Sequence, residues 1–181
     1  MIVGAALGLL VGACGSGAAA PDPIPADALP GEPGEVVELD PTFVAGDAID
    51  DAALEDLLED AGFAGGTQRV FAQSEGRRKQ RSLARVLAFS DADGAERYLD
   101  WLEEHVDEVI GTAELLDPPD VPGARFLAVS SGACACPKPT EVYLAAWRDG
   151  STVFTLEVGG EGVDPDDVGA LAAELDEGIA A

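Results

Sequence analysis

Residues 141–158 read EVYLAAWRDGSTVFTLEV. Two runs rich in β-branched and aromatic side chains, Glu141 to Arg148 and Thr152 to Val158, flank Asp149-Gly150. Asp-Gly between such runs is a strong hairpin signal, because both residues accept the positive φ that tight hairpin turns require. The stretch therefore predicts two antiparallel strands, and the rest of the fold is read outward from them. Downstream, Asp164-Pro165 predicts a helix start, with a carboxylate N-cap and a first-turn proline. Its apolar stripe is Val168, Leu171, Ala172, Leu175 and Ile179.

Upstream, Arg125 to Ser130 reads as a third strand, preceded by the proline-rich loop 117–123. Before it, Ala95, Tyr98, Leu99, Leu102, Val106 and Val109 recur at helical spacing up to Ile110, with Ser90 as the expected cap. Gln68 to Ser74 and Ser82 to Phe89 predict two more strands, joined by the polar stretch 75–81. In the second, Leu83, Leu87 and Phe89 share a face that Arg85 interrupts. Asp47 to Ala61 predicts the first helix, with Leu54, Leu57, Leu58 and Ala61 on one side. Gly62 is its left-handed stop.

The predicted order is α-β-β-α-β-β-β-α. Consecutive hairpins make the sheet antiparallel, and the amphipathic helices must bury their stripes on it. The fold class is thus α+β, one antiparallel sheet of about five strands packed by helices, over residues 38–181.

Three segments resemble a group of actinobacterial cell-envelope lipoproteins and kinase sensor domains with a PsbP-like or LpqN-like α/β sandwich. They are AERYLDWL at 95–102, VPGA at 121–124 and WRDGSTV at 147–153. The similarity runs from about Thr67 to the C-terminus. It implies a binding or sensing module, without naming a ligand or a catalytic residue. The acidic first helix and Cys134-Ala135-Cys136 depart from the pattern.

The chain begins with an apolar, uncharged run, Ile2 to Ala13, too short to span a bilayer as a mature helix. It has the character of a signal-peptide core. It ends in Val11-Gly12-Ala13-Cys14, which resembles the lipobox of bacterial lipoproteins. Small residues there give a peptidase access to the backbone, and the Cys14 thiol is the group that carries the lipid. No Lys or Arg precedes the run, so the expected translational start lies upstream. Residues 14–37 are first Gly/Ala/Ser-rich and then proline-rich, the composition of a flexible and then extended tether. The expected organisation is a signal peptide at 1–13, a lipidated tether at 14–37 and one exported domain. Its expected partners are the membrane, through a lipid on Cys14, and an envelope polymer, lipid or protein.

The formal net charge is −25, from 35 acidic and 10 basic residues. Phosphate-backbone binding by the domain as a whole is disfavoured, so nucleic acid is not an expected partner. Direct adhesion to anionic lipid is disfavoured on the same ground. Six of the basic residues lie between Arg69 and Arg85. Two readings stand: they answer the acidic first helix, or Arg77, Arg78, Lys79 and Arg81 form a patch for an anionic envelope ligand.

Signals for chemistry are sparse. Cys134 and Cys136 form an even pair once Cys14 is lipidated, and an exported protein meets oxidising conditions, so a disulfide is the first expectation. The ring would be small and strained, with Pro137 favouring extended geometry. Free thiols, or a redox or soft-metal role, are the alternatives. His105 is the only histidine, at the edge of a buried stripe. An envelope redox, metal-handling or hydrolytic protein would draw on Cys134, Cys136 and His105. No Gly-x-Ser-x-Gly elbow and no Ser-x-x-Lys occurs. Gly159-Gly160-Glu161-Gly162-Val163-Asp164 matches one copy of a calcium-binding repeat that works only when stacked, and reads better as a loop. The carboxylates at 47, 50, 51 and at 164, 166, 167 suit helix N-termini. Neither a cofactor nor a resident metal is expected.

Overall fold

A computed structural model describes residues 21–46, 48, 50–75, 78–131 and 141–180. Along the chain they form β1 (Glu32–Pro33), β2 (Val37–Leu39), α1 (Pro41–Ala45), α2 (Asp51–Asp60), β3 (Phe63–Glu75) and β4 (Arg78–Phe89). Then come α3 (Ala92–Glu104), α4 (Val106–Ile110), β5 (Ala113–Leu116), β6 (Ala124–Ser131), β7 (Glu141–Asp149), β8 (Thr152–Gly160) and α5 (Pro165–Ala180). The class is α+β, as predicted, but the sheet has eight strands rather than about five. Its order is β1-β3-β4-β8-β7-β6-β5, with β2 also on β3, and every pairing is antiparallel. The three additional strands, β1, β2 and β5, have two to four residues each, too short for a periodic signal.

The hairpin at 141–158 forms, with its turn one residue later than read. Asp149 ends β7 and pairs with Thr152, so Gly150 and Ser151 make the two-residue turn, and only Gly150 takes positive φ, +55°. Alternation along β7 splits its side chains between two cores. Tyr143, Ala145 and Trp147 join Val168, Ala172 and Leu175 of α5 on one face. Leu144 and Ala146 join Leu54 and Leu58 of α2 and Tyr98, Leu99 and Leu102 of α3 on the other. Burial of both faces gives β7 its nearly unbroken apolar run, and the alanines let the helices sit close.

Several local expectations are corrected. Of the stretch 75–81, Glu75 and residues 78–81 lie in strands rather than in a loop. β3 and β4 stay in register to Ser74↔Lys79 and Glu75↔Arg78, so the strands themselves carry most of these charges. Ser90 does not cap α3; Asp91 does, accepting from Gly94 N at 2.8 Å. Gly62 has φ +71°, the expected left-handed stop, and a Cβ there would strike Ser90 Oγ. The predicted helix to Ile110 breaks at His105 into α3 and α4.

Part of the expected tether belongs to the folded body. Ile24, Ala28 and Leu29 are buried in the α5-side core. Glu32 pairs with Ala72, and Gly34 N donates to Val70 O. Composition averages a segment, whereas packing needs only a few apolar side chains at the right places. Residues 14–20 lie outside the described residues.

Candidate functional site

The two faces of the sheet are not covered alike. On the α5 side, Phe71, Ala84, Leu156 and Val158 are all buried. On the α3 side, Leu87 and Phe89 of β4 and Val153 of β8 lie beneath the helices. The next residues of the same parity are Arg85, Leu83 and Arg81 on β4, and Thr155 and Glu157 on β8. There the helices stop. A cleft of about 320 Å³ opens, floored by Gln68, Arg81, Leu83, Arg85 and Glu157 and rimmed by Phe43 of α1 and Val109 of α4.

Register explains how these side chains meet. Gln68 stands opposite Arg85, and Arg85 opposite Thr155. Arg85 Nε donates to Gln68 Oε1 at 3.1 Å. Arg85 and Val109 also line a pocket of about 20 Å³ with Trp101, Leu102 and Val44, so the arginine borders apolar packing as well as the cleft. Arg81 Nη1 lies 3.7 Å from Glu157 Oε1, a loose and partly exposed pair. A second, shallower cleft of about 420 Å³ shares Arg81 and Glu157 and continues toward the β3–β4 turn. Its floor is small: Ala72, Ser74, Gly159 and Gly160, beside Val142. The two clefts make one groove along β4 and β8, with Arg81 and Glu157 shared between them and Gln73 and Gln80 beside the small residues at the far end.

Of the anionic-ligand patch read from the sequence, Arg81 lies in this groove. Lys79 stands two positions further along β4, opposite Ser74, and Arg78 opposite Glu75; Arg77 lies outside the described residues. Three other described basic residues serve the helices. Arg97 donates to Asp60 O, Arg148 pairs with Glu96, and Arg125 is held by Glu103, Asp100 and Glu96. These contacts raise the Arg125 pKa further, the Glu103 hydrogen bond contributing most.

Cys14, Cys134 and Cys136 lie outside the described residues. Ser131 and Glu141, which bound the 132–140 segment, pair with each other at the sheet end where Gln80 pairs with Gly160. His105 stacks on Trp101 with ring centroids 4.8 Å apart, and its Nδ1 lies 2.9 Å from Trp101 O. That is the environment of a helix-end histidine packed on its own helix. Asp50 caps α2, and Asp164 and Asp167 each accept from the other's backbone N–H. These carboxylates thus serve helix starts. Among the described residues no three potential metal ligands gather. Tyr143, buried and donating to Glu141, has its pKa pushed up to about 12, by burial first and then by the nearby carboxylates.

Sequence reasoning found Arg85 as an interruption and Arg81 as part of a basic cluster. It missed Gln68, Thr155 and Glu157, whose convergence depends on cross-strand register. Phe43 sits on a five-residue helix that gives no periodic signal.

No family model and no curated protein matches the chain. Among solved structures, the chain is similar to the extracellular domain of PknH from Mycobacterium tuberculosis, with a TM-score of 0.58 and 12% identity. That likeness spans 88% of this chain and 99% of the other. The Rv0999 ortholog of Mycobacterium smegmatis aligns with a TM-score of 0.46 and 11% identity, over 83% of this chain and 88% of that one. The likeness to the PknH domain establishes a shared fold and transfers no site residue.

Proposed function

We propose that this chain is an exported, membrane-tethered binding or sensing module of the cell envelope, non-enzymatic, taking its ligand in the groove along β4 and β8. The observation that carries the reading is the half-covered sheet. A core strand places Arg85 and Arg81 where a helix would otherwise lie, with Gln68, Thr155 and Glu157 around them. Guanidiniums and an amide on rigid strands are recognition groups, suited to fixing a ligand's orientation. The neighbour of similar fold is an extracellular domain, which supports an extracytoplasmic position. The signal-like run ending at Cys14 supports a lipid anchor. Among the described residues no helix is long and apolar enough to cross a membrane.

Arginine footprinting tests the groove. Arg81 and Arg85 should lose reactivity toward phenylglyoxal when the domain is incubated with solubilised envelope material. If neither changes while the material binds, the groove is not the binding face. Fractionation tests the anchor: Cys14→Ala, made with any upstream start restored, should leave the membrane or remain uncleaved. A mature-size band still in the membrane fraction would exclude lipidation at Cys14.

A further inference from the structure

We propose a second binding site, for a small organic ammonium ion, in the cleft between the end of α5 and the β7–β8 turn. It lies on the α5 face of the sheet, away from the β4–β8 groove, and does not rest on that groove being used.

The cleft has a volume of about 430 Å³, within the roughly 300–1,000 Å³ of ordinary ligand sites. The 121–123 turn makes one wall. Gly123 has φ +73°, its carbonyl accepts from Arg148 N at 3.2 Å, and a Cβ there would strike Arg148 O, so the turn is pinned to β7 with Pro122 beside the cleft. α5 makes the opposite wall with Asp176 and Ile179, one helical turn apart. Phe154 of β8 lies at the floor. It is 6% exposed, and its ring lies nearly parallel to that of the buried Trp147, with centroids 5.5 Å apart.

The charge in this cleft is negative and lacks an answer within the described fold. Asp149 ends β7 with the parity of Trp147, which places it on the α5 face. Asp176 Oδ1 accepts the Trp147 indole N–H at 3.0 Å, which fixes the carboxylate. Among the described residues nothing else bonds Asp176, and Asp149 has no hydrogen bond or ion pair. Arg148 also lines the cleft, but its guanidinium is engaged, Nε with Glu96 at 2.7 Å and Nη1 with Gly150 O at 3.2 Å. The other long helices also end in acids, yet an arginine attends each: Arg97 donates to Asp60 O at the end of α2, and Arg125 holds Glu103 at the end of α3. α5 ends with Glu174, Asp176 and Glu177, where the helix dipole already disfavours negative charge, and its last turn has no basic residue. A bound cation would supply the counter-charge.

The lining favours an organic cation over a metal ion. A hard ion takes about six oxygen ligands, and two carboxylates leave most of that shell unfilled. Among the described residues no three potential metal ligands gather. Phe154, Ile179 and Pro122 instead present carbon to the methyl or methylene groups of an ammonium, whose charge an aromatic ring attracts.

Titration calorimetry of the full chain with choline, dimethylbutanol and calcium chloride tests the site. Dimethylbutanol has carbon in place of choline's nitrogen, so it keeps the shape and loses the charge. Choline should bind at least about tenfold more tightly than the alcohol. Asp149→Asn and Asp176→Asn should each weaken choline about threefold, and together they should remove its advantage over the alcohol. The second variant keeps an oxygen for the Trp147 indole. Asp166→Asn, at the other end of α5, removes the same charge from the same helix and should leave choline binding unchanged. Melting curves check folding; should Asp176→Asn fail to fold, Asp149→Asn carries the comparison. Equal binding of the alcohol, or no binding of choline, would overturn the ammonium site. Displacement of choline by calcium at equal concentration would make it a metal site instead. An effect of Asp166→Asn as large as that of Asp149→Asn would reduce it to the general field of an acidic chain.

Discussion

Neutralising the basic β3–β4 hairpin with Arg77→Gln, Arg78→Gln, Lys79→Gln and Arg81→Gln should cost less than about 1 kcal/mol of stability. The competing account holds that these residues answer the acidic helix α2, in which case their loss would unfasten it. Distance decides between the two. Leu54 of α2 shares a pocket with Arg85, which fixes the level of the helix along β4. From Arg85 to Arg78 the strand climbs seven residues, roughly 23 Å at about 3.3 Å each. That is more than two screening lengths of about 10 Å at ordinary salt. Arg81 is nearer, but it pairs with Glu157 on β8, and that partly exposed contact contributes a fraction of a kcal/mol at most. Urea denaturation followed by circular dichroism measures the sum. A midpoint shift equivalent to more than about 2 kcal/mol, with unchanged slope, would refute the reasoning and make the patch structural. The same variant should bind anionic envelope material more weakly, and wild-type binding should fall as salt rises.

Other outcomes follow from the packing. Ile24→Ala should cost about 2–4 kcal/mol in urea denaturation, since Ile24 is 1% exposed; a loss under about 0.5 kcal/mol would return residues 21–37 to the tether. Gly94→Ala should cost about 3 kcal/mol, because a Cβ would sit 2.0 Å from Ala61 O where α3 crosses the end of α2; wild-type stability would show that the crossing is looser. Tyr143 should ionise near 12 rather than 10 in an ultraviolet titration. A raised folded pKa means the folded state holds its proton longer, so stability is full below 10 and declines as pH rises through 12. An ordinary tyrosine titration in the folded domain would contradict that burial. If Cys134 and Cys136 are bonded, a thiol assay without reductant should find none free, and two reactive thiols would exclude the bond.

What the sequence discloses about this fold is what short-range chemistry decides. The 141–158 hairpin and α5 are legible because a two-residue turn, an Asp-Pro start and a 3.6-residue stripe are local devices. The fate of Ile24 and Leu29 is not, because the prolines around them describe an extended backbone without saying what lies beside it. The hairpin charges misled for a related reason. Polar residues suggested a loop, yet two strands that extend past their neighbours can keep their own ladder. Arg85 sits between these cases. Its break in the apolar alternation was visible, but the identity of its neighbours, Gln68 and Thr155, depends on strands 17 or more residues away in sequence pairing in one register.

The groove follows from element lengths. β4 has 12 residues and spans roughly 40 Å, whereas α3 has 13 and spans roughly 20 Å. One helix can roof only half of such a strand. On the opposite face, α5 has help: the 21–33 segment lies beside it, with Ala28 against Gly178 and Ile24 in the shared core. On the α3 face the chain breaks at His105 and turns into the short α4, and among the described residues no second helix reaches the far half. Polar residues on β4 and β8 are what an unroofed sheet face requires, but two arginines in a row at its centre exceed that requirement. The segment that roofs the other face pairs with β3 at Ala72, a floor residue of the groove. One strand, β3, thus carries both the segment that covers the α5 face and part of the groove floor on the other.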